Sequence, residues 1–403
     1  MSILSGKKIL LGVTAGIAAY KTANLVRLFI KSGAEVQVVM TPASKDFITP
    51  LTLSTLSKNP VHSTFYEKEE ENELWNNHVE LGLWADFMIV APATANTLSK
   101  MSNGVCDNLL LATYLSAKCP VYFAPAMDLD MYKHPSTLES IKKLQDYGNQ
   151  LIPVASGELA SGLVGEGRMA EPTDIVDFIE KDVLSKLPLK GKRILITAGP
   201  TYEAIDPVRF IGNHSSGKMG FALANSAAEL GAEVFLIAGP SAEKMNHTFV
   251  KRINVVSAEE MFKESHQYFL NCDIAILSAA VADYKPKNSA EQKIKKKDSA
   301  LEIELAPTKD ILASLGKIKR NQFLVGFALE TNNELENAIS KLKRKNLDAI
   351  VLNSLQDKGA GFATDTNKVT FIDKSGLQVP FELKSKIDVA DDILTEILKR
   401  INA

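Results

Sequence analysis

The sequence predicts an α/β protein built from two doubly wound, Rossmann-like domains, and an internal echo carries that prediction. GKKILLGVTAG at 6–16 is repeated as GKRILITAGP at 191–200, and SGAEVQVVMTPAS at 32–44 as LGAEVFLIAGPSA at 230–242. WADFMIVAPATAN at 84–96 finds a counterpart in NCDIAILSAAVADY at 271–284. Each half thus runs apolar strand, loop, helix, Gly-Ala-Glu-Val strand, and later another strand ending in small residues. That alternation builds a mostly parallel sheet with helices on both faces. A chain of 403 residues also exceeds one ordinary core.

Between the halves, DIVDFIEKDVLSKLPLK at 174–190 has apolar residues at helical spacing and then Leu187-Pro188-Leu189, which ends the helix. The expected domains are therefore 1–189 and 190–403. In open α/β sheets ligands bind beyond the carboxyl ends of the strands, so the loops after Val13, Val39, Val90, Ile196, Ile237 and Leu277 are where chemistry is expected.

Composition narrows the function classes. A hydrophobic fraction of 45%, a charged fraction of 23% and a net charge of -2 leave no global field to attract nucleic acid or an anionic membrane. Any basic site must be local. Cys106, Cys119 and Cys272 lie far apart with no C-x-x-C, indicating neither a disulfide framework nor a zinc site, and a reducing cytoplasm fits. MSILSGKK followed by ILLGVTAGIAA has the outline of a signal peptide, but the pattern recurs in mid-chain and is read as a strand and loop. No apolar run approaches the roughly 20 residues that span a bilayer.

In the first half, the turn through Gly16 and Ile17 opens a helix whose amides can receive a phosphate. Thr41 and Ser44 end the next strand, and Thr94, Asn96 and Thr97 supply a third set of hydroxyls and amide. Three such strand ends on one edge suit a mononucleotide. A dinucleotide is disfavoured, because G-x-G-x-x-G is absent and Met40-Thr41 stands where an acidic residue would end the second strand.

APATANTL and NGVCDNLL, together with APAMDLDMY and GEGRM, resemble the flavin-dependent cysteine decarboxylase family, whose members bind FMN. The resemblance implies a flavodoxin-like FMN-binding first domain. It makes His78 the catalytic histidine, although a lone histidine on such a helix is more often a surface one; the imidazole as a side-chain type suits proton transfer. Two positions depart from the pattern. Asp128 stands where the family usually has asparagine, and Ser161 where many members have a proton-donating cysteine. An ionised Asp128 would repel a substrate carboxylate unless it faces a donor, and a hydroxyl is a poorer acid than a thiol.

In the second half, GNHSSGKM at 212–219 is one residue short of a P-loop, with Met219 where a magnesium-binding hydroxyl belongs. The preceding strand ends near Ala198, and the intervening stretch contains Pro200 and Pro207, so it is irregular. A helix is expected from near Ser216 to Gly231 with Ser215 as its N-cap. KIKKK at 293–297 gathers four lysines in a segment between strand-like AAVADY and LEIELA, and Lys341 and Lys345 share a helical face.

TAGPTYEAIDPVRFIGNHSSGKMGFALA, AAVADY, KIKK, GFALET and KNLDAIVLN resemble phosphopantothenate-cysteine ligases across nearly all of 190–400. The resemblance makes Asn213 the residue that stabilises an acyl-nucleotide intermediate and Lys293 a lysine needed at the active site. It assigns Ala279, Asp283, Lys293, the run Pro307, Thr308, Lys309 and Asp310, and Phe327, Lys341 and Lys345 to the nucleotide, CTP in bacterial members. PTKD departs from the commoner K-N-P-D form.

Taken whole, the chain resembles the bacterial bifunctional coenzyme A biosynthesis family. That resemblance implies CTP- and magnesium-dependent coupling of 4'-phosphopantothenate to cysteine, FMN-dependent decarboxylation of the product, and a cytoplasmic homo-oligomer of decarboxylase trimers and ligase dimers. The rival expectation is an active ligase fused to a non-catalytic flavin-binding regulatory domain.

Overall fold

The computed structural model of the chain describes residues 2–69, 72–159, 161–296, 300–330, 332–354 and 364–402. It divides into two compact units, Met1–Ser185 and Lys186–Ala403.

The first unit is organised on a six-stranded sheet in which every pairing is parallel. Across the sheet run Val61–His62, Glu35–Met40, Lys8–Val13, Phe87–Ala93, Val121–Pro125 and Gln150–Leu151. Numbered by sequence within the sheet, that order is 3-2-1-4-5-6. The doubly wound sheet is as expected, but its order is this one rather than the 2-1-3-4-5 of flavodoxin proper. The central strands read as continuous apolar runs because helices cover both faces: Ile9, Leu11 and Val13 pack with the helix Thr22–Lys31 on one side, while Leu10 and Val90 join Leu98 and Leu110 on the other. Each such fully buried Leu or Ile contributes about 1.5–3 kcal/mol relative to exposure.

The second unit repeats the plan. Its sheet runs Val250–Asn254, Glu233–Ala238, Arg193–Ala198, Ile274–Leu277, Phe323–Glu330 and Ala349–Ser354, all parallel, then adds Val369–Asp373 and Gln378–Pro380 antiparallel. The first six again follow the order 3-2-1-4-5-6. Even the register matches: Ile9 pairs with Val36 and Phe87, and Ile194 with Val234 and Ile274. The sequence echo is therefore an echo of topology.

The helix Pro172–Lys186 ends just before Leu187-Pro188-Leu189. Leu189 is fully buried in the core of the second unit, and its amide donates to Leu230 O at 2.9 Å. Two departures from the sequence reading affect function. The helix expected from Ser216 begins at Lys218 and ends at Glu229, with Gly217 as N-cap. Gly217 has φ +87°, a left-handed conformation that glycine adopts without penalty. Ser215 lies upstream of this turn, and its hydroxyl accepts from Gly217 N. Among the described residues of the excursion between 284 and 307, regular structure is limited to two short strands, Tyr284–Pro286 paired with Leu305–Pro307.

Candidate functional sites

Each sheet reverses its winding between its first and fourth strands, which splays the flanking loops apart and opens a cleft at the strand ends. In the first unit that cleft has a volume of about 950 Å³. Gly16, Ile17, Thr41, Thr94, Asn96 and Thr97 all line it, as do Asp128 and Ser161. Thr94 caps the helix Ala95–Ser102, accepting from Thr97 N at 3.4 Å, and its hydroxyl donates to that of Thr97 at 3.2 Å. Thr41 Oγ1 is buried at the cleft without a partner in the structure. A buried hydroxyl left unpaired is costly, and a polar ligand group would satisfy it.

Ser44 does not reach this cleft. It is fully buried and donates to Thr41 O at 2.7 Å, so its hydroxyl shapes the turn that presents Thr41.

Asp128 caps the short helix Leu129–Lys133, with Oδ1 accepting from Leu129 N at 2.6 Å. The neighbouring Met127 N donates to Gly167 O at 3.0 Å, tying this segment to the hairpin of Ala155–Glu158 and Val164–Arg168. Gly167 is required there, since a Cβ would stand 2.5 Å from Met127 O. Ser161 is exposed in the turn of the same hairpin.

Sequence reading missed the charged frame of this cleft. Lys21 is buried and donates to Met169 O and to the Glu171 carboxylate at 2.9 Å, while Arg168 reaches the same oxygen at 2.8 Å. The Lys21 bond holds the Glu171 carboxyl below its usual pKa, with Arg168 adding to it. Lys100 and Asp107, 2.5 Å apart, also line the cleft.

His78 lies outside it. It is the first residue of the helix His78–Trp84, behind the Asn77 cap, and is edge-on to Phe65 and Trp75 at 6.2 and 6.3 Å. Its Nδ1 is buried and unpartnered. Around it, Tyr66, Trp75, Val79 and Leu83 are all exposed, an apolar surface beside an unsatisfied imidazole.

In the second unit the cleft is about 510 Å³ and gathers residues from widely separated stretches of sequence. Asn213, Ala279, Asp283, Thr308, Lys309, Asp310, Phe327, Lys341 and Lys345 all line it. Asn213 Nδ2 donates to Ala280 O at 3.0 Å and Val281 O at 3.2 Å, fixing the end of the strand Ile274–Leu277 against the 212–219 loop. Thr308 donates to Ala282 O at 2.6 Å and Lys309 pairs with Glu259 at 2.7 Å. Lys345 sits 2.7 Å from Asp310, and Lys341 donates to Phe327 O at 2.9 Å.

Electrostatics follow from this packing. Burial, and then the nearby Lys345 cation, hold the Lys341 ammonium below its ordinary pKa. For Asp310, burial works upward but the Lys345 pairing and the Ala313 amide outweigh it, and its pKa is lowered.

Pro307 and Lys293 are not among the residues lining the cleft. Pro307 ends a strand beside it, and Lys293 lies on an exposed stretch that packs instead on the loop at 205–209. Lys297, the last lysine of its run, lies outside the described residues.

The lining was only partly anticipated. Lys218, Lys386, Asn353 and Asn367 also belong to it. Lys218 pairs with Asp365 at 2.5 Å, and Lys386 donates to Thr364 O at 2.6 Å with its pKa depressed by burial and by Lys218. Asn353 Oδ1 is buried without a partner in the structure.

Among the described residues, no group of three or more His, Cys, Asp or Glu side chains is arranged to hold a metal ion, and no helix is long and apolar enough to cross a membrane.

Against known proteins, residues 2–184 match the Flavoprotein family and residues 189–401 the DNA/pantothenate metabolism flavoprotein C-terminal domain. A cysteine/cysteine sulfinic acid decarboxylase from an unknown prokaryotic organism is 55% identical over 88% of this chain and 100% of its own. The Coenzyme A biosynthesis bifunctional protein CoaBC of Bacillus subtilis (strain 168) is 44% identical over 98% of this chain and 97% of its own. A crystal structure of the C-terminal domain of a CoaBC protein aligns at 44% identity with a TM-score of 0.47, covering 54% of this chain and 99% of that one.

Proposed function

Because the chain belongs to the family of coenzyme A biosynthesis bifunctional proteins, we propose that its two clefts perform consecutive steps. The second unit activates 4'-phosphopantothenate with CTP and couples it to cysteine through an acyl-cytidylate. The first then decarboxylates phosphopantothenoylcysteine to 4'-phosphopantetheine with FMN. The observation that carries the ligase half is the convergence of Asn213, Asp283, Asp310, Phe327, Lys341 and Lys345 on one cleft at a topological switch point.

Activating a carboxylate brings two anions together, and Lys341 and Lys345 supply the positive charge that offsets the triphosphate. Magnesium would enter with the nucleotide and would offset part of the phosphate charge. Asn213, with both amide hydrogens directed at Ala280 O and Val281 O, keeps its oxygen and the strand end in place beside the acyl group.

In the first unit the flavin fits the strand-end cleft: Gly16, Ile17, Thr41, Thr94, Asn96 and Thr97 would hold it, and its polar groups would satisfy Thr41 Oγ1. When bound it takes up and returns the electrons of the decarboxylation. Asp128 and Ser161 line the substrate side of that cleft. The position of His78, outside its own cleft beside an exposed apolar surface, favours an oligomer in which it serves the cleft of another copy. The trimer and ligase dimer belong to this proposal, as does a cytoplasmic location.

A non-catalytic, regulatory first half is not favoured, since the full-length relatives carry enzyme names. A second reading comes from the 55% identical relative: the first unit acts on a small sulfur amino acid instead. One experiment separates them. Purified protein receives 4'-phosphopantothenate, cysteine, CTP and magnesium while phosphopantothenoylcysteine and carbon dioxide are followed, with cysteine alone as a parallel arm. We expect carbon dioxide only in the complete mixture. Accumulated phosphopantothenoylcysteine without carbon dioxide refutes the decarboxylase step, and carbon dioxide from cysteine alone supports the second reading.

A further inference from the structure

Asp206 belongs to the irregular DPVR stretch and is 2% exposed, yet it lines neither cleft. A carboxylate is withdrawn from water only where donors replace the water, and here they come from two separate segments. Oδ1 accepts from Val208 N and Arg209 N, each at 2.8 Å. Oδ2 accepts from Ile294 N at 3.1 Å, 88 residues away. Arg209 closes the loop: its guanidinium lies 3.5 Å from Asp206 Oδ2 and donates to Ile294 O at 2.5 Å. Nearby, Ala290 N donates to Ile205 O at 2.9 Å.

A local Asx-type turn accounts for Oδ1 alone. The bond from Ile294 is not local. It grips the residue next to Lys293, and does so from the turn of the hairpin Tyr202–Ala204 and Phe210–Gly212, whose second strand runs directly into Asn213. Lys293 has no cleft wall of its own, so this clamp is what sets its place relative to Asn213.

We infer that Asp206 is a positioning residue for nucleotide-dependent activation, fixing the lysine-bearing loop at 290–296 on the hairpin that presents Asn213. The inference rests on the ligase reading for the importance of Lys293, while the clamp stands on geometry alone.

The test uses the full chain in two measurements. Asp206→Asn keeps the side-chain shape but replaces one accepting oxygen with a donor, which faces the Ile294 and Arg209 donors badly. Trypsin cleavage after Lys293 and Lys295 should then accelerate roughly tenfold at an unchanged melting temperature, because the loop opens locally. CTP-dependent pyrophosphate release should lose on the order of tenfold in kcat with KM for CTP nearly constant, as expected for misplacement. In a Lys293→Ala background the same substitution should cost nothing further, since residues acting through one another are not additive. Arg209→Met, which severs the Ile294 O contact, should repeat the pattern and serves if Asp206→Asn does not fold.

Unchanged trypsin cleavage overturns the clamp. A loss that multiplies undiminished in the Lys293→Ala background overturns the positioning role. If the wild-type protein releases no pyrophosphate, the ligase reading fails, and the digestion still decides whether Asp206 holds the loop.

Discussion

Gly220→Ala should damage the second cleft more than it damages the fold. Gly220 lies in the first turn of the helix Lys218–Glu229, where an added Cβ would stand 2.5 Å from Ala198 Cβ, 2.7 Å from Ser278 Oγ and 3.0 Å from Ala198 Cα. Ala198 and Ser278 sit at the ends of the two strands that flank the switch point, so neither can swing aside as a flexible side chain would. Restoring ordinary contact requires the helix start to retreat by roughly 1 Å. Overpacking against backbone costs about 3 kcal/mol, the upper part of the usual range, and alanine returns about 1 kcal/mol through helix propensity. The net loss is about 2 kcal/mol. For a domain of this size that lowers the melting temperature by about 4–8 °C. The displaced turn carries Gly217 and Lys218, which line the cleft, so CTP-dependent coupling should fall by on the order of 100-fold. Scanning calorimetry of the full chain and a pyrophosphate-release assay measure the two effects. A variant that melts within about 1 °C of wild type and couples normally would refute the close-packing argument.

Two further outcomes follow from the site geometry. The kcat/KM for CTP should decline with rising pH from below the ordinary lysine range, because Lys341, depressed by burial and Lys345, loses its proton early and with it its attraction for phosphate; Lys341→Met should abolish that limb of the profile. His78→Gln should retain bound flavin, read by its visible absorbance, while losing carbon dioxide release, since His78 does not line its own cleft; loss of flavin instead would place it in cofactor binding.

Much of the fold was legible because the repeat recurs at the level of apolar strands, and parallel strands buried on both faces must be apolar throughout. The strand-end hydroxyls at Thr41, Thr94 and Thr97 were legible for the same reason, their position at a strand end being fixed by the strand. Ser44 was not, since only the turn geometry reveals that its hydrogen is spent on Thr41 O. The helix start was misplaced because Ser215 carries a capping signal, whereas a left-handed glycine at 217 sets the true boundary. Lys386, Asn353 and Asn367 escaped notice because they join the cleft through elements far along the chain whose local sequence announces nothing. Lys21 and Arg168 carry no local pattern that sets them apart, and only the fold, which buries Lys21 and brings both to the Glu171 carboxylate, shows them framing a site. His78 could be matched by type, but no sequence pattern says which copy of a cleft it faces.

The pairing of Lys341 with Lys345 in one half-buried wall has a thermodynamic side. Lys345 is matched by Asp310, whereas the charge on Lys341 is disfavoured by burial and then by Lys345, a penalty that a bound polyanion relieves. Affinity and thermal stability are then linked through one electrostatic term, so a nucleotide should raise the melting temperature more at low ionic strength than at high.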